Sequence, residues 1–213
     1  MSPHIAPLRS EDAQAAAEVL GRAFVDNPVN VAVIGADPER RERCNRAGVE
    51  AYLPAALEAG WVAGAWQGPP LAAGGERELC GVLVAMPPGA FPLPVPGFLA
   101  AMRLLWQQGP RVASRFGDVA RTLSALHPAE PHWTLATLGV DPLAQGRGVG
   151  SALLAAFTSV VANDGLAAYL DTDREENLAF YRPSGYEVIG TTRILGVEVH
   201  QMLRRPDPAN SSR

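Results

Sequence analysis

The chain has 213 residues, 47% of them apolar and 19% charged, and a formal net charge of -4, a composition suited to a soluble globular protein with one substantial core. The acidic balance and the lack of any basic run interleaved with aromatics argue against nucleic acid as a partner. No apolar stretch reaches the ~20 residues of a membrane span and no basic-then-apolar leader opens the chain, so the expected location is the cytoplasm.

His4 to Leu8 is predicted as a short first strand, and Ser10 as the N-cap of an alanine-rich helix, Glu11 to Phe24, which Asn27 and Pro28 interrupt. Asp37 and Pro38 open a second helical pattern running to Ala59. Within it Arg40, Arg41 and Arg43 alternate with Glu42, the pattern of a solvated helix face. Trp61 to Trp66 and Leu79 to Met86 read as strands joined by a Gly/Pro-rich loop. Cys44 and Cys80 have no metal-ligand spacing, and Cys80 lies in an apolar run, which points to packing rather than to an acyl-cysteine intermediate.

Pro87, Pro88, Pro92, Pro94 and Pro96 exclude regular helix from the next stretch. Phe98 to Gln107 and Val112 to Ala125 have helical spacing and form an insertion, either a cap over an acceptor cleft or simply two packed amphipathic helices. From Trp133 the order is strand, glycine loop, helix (Ser151 to Val161), an apolar segment ending at Asp171, short helix, then strands Tyr186 to Thr192 and Val197 to Leu203. That alternation predicts an α/β sheet with helices on its faces. One domain, residues 1–205, is expected, followed by a loose tail, 206–213.

The glycine loop carries the chemistry. Gln145, Gly146, Arg147, Gly148, Val149 and Gly150 follow a strand and open a helix at Ser151, so backbone N–H groups and a positive helix end are offered to a phosphate. A P-loop would need a lysine after its glycine, and all 18 basic residues are arginine. A dinucleotide fingerprint fits Gly146 and Gly148 but meets Ser151 at its third glycine; Asp171 stands about where its acidic residue would. Few residues remain after the loop to build the βαβ series such a site requires.

The same six residues fit Gln/Arg-x-x-Gly-x-Gly/Ala, which resembles the acyl-CoA motif of the GNAT superfamily of N-acetyltransferases. Leu138, Gly139 and Val140 resemble that family's bulged strand end, and Asn177, Ala179, Phe180, Tyr181, Gly185 and Tyr186 resemble its second cofactor motif. Residues 130 to 205, with Ala23, Phe24, Asp26 and Pro28, resemble most its puromycin N-acetyltransferase branch. The resemblance implies a mixed, mostly antiparallel sheet flanked by helices and splayed at the acyl-CoA site. It implies acetyl-CoA as cosubstrate, held by Leu138 to Val140, Gln145 to Ser151, Asn177 and Tyr181, with Tyr181 as general acid.

N-acetyl transfer also needs a base for the amine, and Glu130 and His132, with His127 behind them, are the candidates beside the start of the central strand. Phe24, Asn27 and Trp133 are candidates to line the acceptor cleft. The implied reaction is direct transfer in a ternary complex to a primary amine of a small molecule, aminonucleoside or antibiotic-like, with protein amines also open. A non-catalytic acyl-CoA sensor and a dinucleotide-dependent oxidoreductase are the other classes compatible with the loop. Pro183 is expected to end the short helix early, disturbing the placement of Gly185 and Tyr186.

Overall fold

The computed structural model describes residues 3–68, 77–92 and 97–206. The elements run β1 (His4–Pro7), α1 (Ala13–Ala23), α2 (Pro28–Ile34), α3 (Pro38–Ala59), β2 (Trp61–Gln67), β3 (Glu78–Met86), α4 (Phe98–Gln108) and α5 (Pro110–Ser124). They continue as β4 (His132–Val140), α6 (Val149–Asp164), β5 (Ala167–Thr172), α7 (Glu176–Tyr181), β6 (Tyr186–Ile194) and β7 (Val197–Arg204). The strands form one seven-stranded sheet in the order β1-β2-β3-β4-β5-β7-β6, with every neighbouring pair antiparallel except β4 and β5. The expected loop between β2 and β3 (69–76), Pro94, Pro96 and nearly all of the expected tail (207–213) lie outside the described residues.

β3 explains the layering. Side chains alternate across a strand, and here both sides are covered, so the segment reads as an unbroken apolar run. Leu83 and Ala85 pack with Leu153, Phe157 and Val161 of α6, while Val82, Val84 and Met86 pack with Leu20 of α1 and Leu53 of α3. Each of these side chains other than Ala85 contributes about 1.5–3 kcal/mol relative to exposure. A third cluster joins Val29 and Val33 of α2 and Val112 and Val119 of α5 to Val199 of β7, so the helical insertion packs back onto the C-terminal half of the sheet.

Three local features differ from the sequence reading. Ser10 does not cap α1: residues Ser10–Asp12 form a 3-10 turn leading into it, and the Asp12 carboxylate accepts from the Arg9 N–H at 2.9 Å. Asn27 and Pro28 start a helix instead of only ending one, because the Asn27 side chain accepts from Asn30 N–H and proline at the first helical position loses no hydrogen bond. Arg41 is 7% exposed rather than solvated. Its guanidinium donates to the carbonyls of Val25 (2.6 Å), Gly35 (3.0 Å) and Ala36 (2.6 Å) and to the Asp26 carboxylate (3.1 Å), gathering the chain on either side of α2. Pro183 does end α7, but a 3-10 turn through Arg182–Ser184 and Gly185 at φ 84° deliver Tyr186 buried into β6.

Candidate active site

β4 and β5 pair only at His132↔Ala167, Trp133↔Ala168 and Thr134↔Tyr169. Beyond these positions β4 follows β3 as far as Val140 and β5 follows β7 as far as Thr172, so the middle of the sheet parts into a V. Alternate N–H and C=O groups of each strand then face a gap with no neighbouring strand. The divergence begins at a bulge: Ala136 is skipped in the register, where Leu135 and Thr137 oppose Ala85 and Val84. The bulge was expected at Leu138 to Val140. Those residues instead stay paired with Leu83, Val82 and Gly81, and the extra residue lies nearer the fork. A Cβ at Gly139 would come 2.5 Å from Leu20 Cδ2, so glycine there lets α1 sit directly on β4.

A cleft of about 780 Å³ opens from this fork. Leu138, Gly139, Val140, Gln145, Gly146, Gly148, Val149, Gly150, Ser151, Asn177 and Tyr181 all line it, so the residues expected to hold the donor share one wall, apart from the exposed Arg147. Asp141 turns the chain out of β4, accepting from Leu143 N–H and pairing with Arg22 at 2.7 Å. Gly146 and Gly148 have φ of 72° and 78°, a region side chains disfavour, and nothing lies within 4 Å of where a Cβ would stand. Backbone conformation, not crowding, selects glycine at these two positions. The turn they make leads into the 16-residue α6 at its N-terminus. Asn177 and Tyr181 share one face of α7, and Asn177 Nδ2 donates to Thr172 Oγ1 at 3.0 Å, tying the helix to the end of β5. Tyr181 packs against Phe180 and Tyr186, and burial pushes its phenol well above the ordinary value.

A second cavity, of about 400 Å³, lies across Phe24 and Asn27, which line both. Its walls come from α3 (Cys44, Tyr52), from the insertion (Leu104, Phe116, Val119), from Ala136 and Thr137 at the bulge, and from Asp171. The insertion thus does wall a cleft. Tyr52 hydroxyl and Thr137 Oγ1 share a hydrogen bond at 3.1 Å across it. Asp173 is fully engaged: Asn27 Nδ2 donates to one oxygen at 2.7 Å and Val29 N–H to the other at 2.8 Å, fixing the start of α2. Among the described residues Asp171 accepts only from Tyr169 hydroxyl, at 2.8 Å, and burial pushes its carboxyl up to about 6.

The remaining expected residues lie elsewhere. Trp133 is packed against Phe157 in the core, with Nε1 donating to Asp164 at 2.9 Å, and lines neither cavity. Glu130 and His132 stand at the opposite end of β4, about 20 Å along the strand from Leu138, and line a third cavity with His127 and Phe91. His132 Nδ1 lies 2.7 Å from the Glu130 carbonyl and so donates there, leaving Nε2 to accept from His127 Nδ1 at 3.0 Å. Burial and the His132 neighbour hold His127 down at about 4. The imidazole lone pair of His132 is therefore taken up within the pair. Asp171, Thr137 and Tyr52 have no local motif around them; Asp171 stood out in the sequence only as a ribose ligand for a cofactor whose fold is absent.

A mixed sheet that opens between two central parallel strands above a glycine loop is an architecture of acyl-CoA-dependent transferases, and the comparisons agree. The sequence profile of the acetyltransferase (GNAT) family matches residues 95–186. A solved structure described as histone acetyltransferase HPA2 and related acetyltransferase, from Corynebacterium glutamicum, is 25% identical, with a TM-score of 0.71 over 97% of this chain and 98% of that one. Arylalkylamine N-acetyltransferase 2 from Aedes aegypti is similar in fold (11% identity, TM-score 0.65, 96% and 99% covered). So is the PaiA N-acetyltransferase from Thermoplasma acidophilum in complex with coenzyme A (15%, TM-score 0.58, 96% and 99%). The N-alpha-acetyltransferase RimI of Mycobacterium tuberculosis is 33% identical over 72 residues, 32% of this chain and 46% of that protein, so the match spans about half of that relative's length. Residues 95–186 thus carry the sequence pattern of the acetyltransferase (GNAT) family, and the chain as a whole shares the fold of solved acetyltransferases.

Proposed function

We propose that this protein transfers an acetyl group from acetyl-CoA to the primary amine of a small molecule by direct attack in a ternary complex. One observation carries the reading: the parted strand edge, the glycine loop at the start of α6 and the Tyr181 side chain line a single cleft. Acetyl-CoA supplies the thioester. The N–H groups of residues 146–151 and the α6 dipole suit its pyrophosphate. A backbone N–H on the open edge of β4 between Leu138 and Val140 receives the carbonyl oxygen as negative charge develops. Tyr181, kept protonated by burial, gives its proton to the departing thiolate once the C–S bond has broken beside it.

Cys44 and Cys80 are both buried, and burial raises both thiols, so neither is a ready nucleophile for a covalent relay. For the acceptor, the cavity of about 400 Å³ beneath the insertion favours a small amine, and resemblance to the puromycin-acetylating branch adds aminonucleosides and other antibiotic-like amines. The partial match to RimI favours a second reading, a protein N-terminus.

Free-thiol release from acetyl-CoA, measured across small amines, aminonucleosides and peptides, tests this. Tyr181→Phe is expected to lower kcat by about 10²–10⁴-fold with unchanged CoA affinity, and undiminished turnover would remove Tyr181 as the acid. Calorimetry with CoA and NADH separates the dinucleotide alternative, and binding of NADH but not CoA would overturn the reading.

A further inference from the structure

We propose that the cavity beside the donor cleft takes a cationic amine carried on an apolar body, an aryl or alkyl amine, and that Asp171 removes the proton that frees its nitrogen for attack. This rests on the acetyl-transfer reading above. The walls supply the class: Val49, Leu104, Phe116, Val119, Leu123 and Val199 are apolar, and among the described lining residues the only charged side chains are Asp171 and Asp173. Among the described lining residues there is no cation to receive an anionic group, so a carboxylate or phosphate on the acceptor would lie beside two carboxylates with no counter-charge. A volume of about 400 Å³ lies in the range of small-molecule sites, roughly 300–1,000 Å³.

The two carboxylates are not equivalent. Asp173 has both oxygens bonded by the chain, whereas Asp171 Oδ2 has no hydrogen-bond partner among the described residues. Asp171 is thus the carboxylate left for an ammonium. Its surroundings are the Tyr169 hydroxyl on its own strand, Gln201 opposite it on β7, Cys44 and Tyr52 on α3, Thr137 on β4, and Asp173. His200, the next residue on β7, is turned to Thr191 Oγ1 and Glu198. A carboxyl held at about 6 is ionised at neutral pH and still accepts a proton readily.

The steps balance. The ammonium gives one proton to Asp171, and the freed lone pair forms the N–C bond. The C–S bond breaks with its electron pair on sulfur, which takes the Tyr181 proton. The nitrogen then loses its second proton, restoring Tyr181, and Asp171 releases the first to solvent. One amide, one free thiol and one proton result from an ammonium and a thioester.

The test compares 2-phenylethylamine and hexylamine with an alanine-initial tripeptide in thiol-release assays between about pH 5 and 9. The apolar amines are expected to exceed the tripeptide by about tenfold or more in kcat/KM, with an acid limb near the Asp171 value. Asp171→Asn is expected to lose about 10²-fold or more in kcat and to lose that limb, with acetyl-CoA affinity by calorimetry unchanged. Asp171→Glu keeps the limb. Val119→Trp, narrowing the cavity, raises KM for 2-phenylethylamine by about tenfold without altering acetyl-CoA affinity. Preference for the tripeptide, or an Asp171→Asn enzyme that retains kcat and the limb, would overturn the inference while leaving acetyl transfer intact. If acetyl-CoA binds and the wild type acetylates no amine, the parent reading fails and this one with it.

Discussion

Asp171 and Asp173 stand two residues apart at the end of β5 and meet opposite surroundings. Asp173 is bonded through both oxygens, and Asp171 faces a largely apolar cavity with one phenolic donor among the described residues. The linkage has a definite sign. Below about pH 4 Asp171 is neutral in folded and unfolded chains alike and costs nothing. Between its ordinary 3.8 and the folded value of about 6, the unfolded chain has released the proton that the folded chain keeps, so stability falls as pH rises, and the full penalty stands above 6. At about 1.4 kcal/mol per decade this amounts to at most ~3 kcal/mol. Asp171→Asn, which retains an acceptor for Tyr169, is therefore expected to stabilise the protein at pH 7.5 and to change little at pH 4, as read by urea unfolding at both. Equal effects at the two pH values would mean that burial does not raise the Asp171 carboxyl. That the Gln145 to Gly150 loop, Asn177 and Tyr181 come together around one cleft, Arg147 apart, was anticipated by the family resemblance of two local motifs. Asp171 was not, since its character comes from α3 and the insertion, distant in the chain.

The elements followed from patterning almost throughout. Strands β2, β3, β4, β6 and β7 and helices α3 to α6 lie close to their expected bounds, and β5 ends one residue past the expected Asp171, because apolar periodicity and Gly/Pro punctuation record them directly. α2 was missed: Asn-Pro is read equally as a break and as a start, and only the bonds from Asn30 and to Asp173 decide between them. Arg41 was missed for a related reason, since its neighbours Arg40 and Arg43 are solvated and the face it occupies is covered by the turns around α2. Those turns include Phe24 to Asn27, the partition between the two cavities, which is also held from the β5–α7 side by Arg174 bonding to the Asp26 carbonyl. Arg41→Ala strips donors from three carbonyls, and a loss of roughly 2–4 kcal/mol is expected. The Michaelis constants for both substrates should rise together, measured at a temperature where the variant remains folded. A stability loss without any kinetic change would uncouple Arg41 from the partition.

At the scale of the molecule, the sheet consists of two well-paired blocks, β1 to β4 and β5 to β7, joined edge to edge by three residue pairs. Apolar patterning alone reads Trp133 to Val140 as one strand, and the parting of the sheet was expected only through the family resemblance, which implied a sheet splayed at the acyl-CoA site. Sheet pairing protects amides from exchange, and the weakest seam opens first. Amides at the fork, in residues 136–140 and 170–172, should exchange faster than those of β3 in the free protein. CoA would lay polar groups along the exposed edge and bond across the gap, acting as a strand the chain does not itself provide. Saturating CoA is expected to slow exchange on both sides of the fork and to raise the melting temperature, the folded state gaining ~2.7 kcal/mol at a hundredfold excess over Kd. Slowing confined to the glycine loop would leave the seam as weak as before. On this view the donor, besides reacting, completes the hydrogen bonding of the sheet, and the protein's resistance to unfolding should rise and fall with the cofactor supply around it.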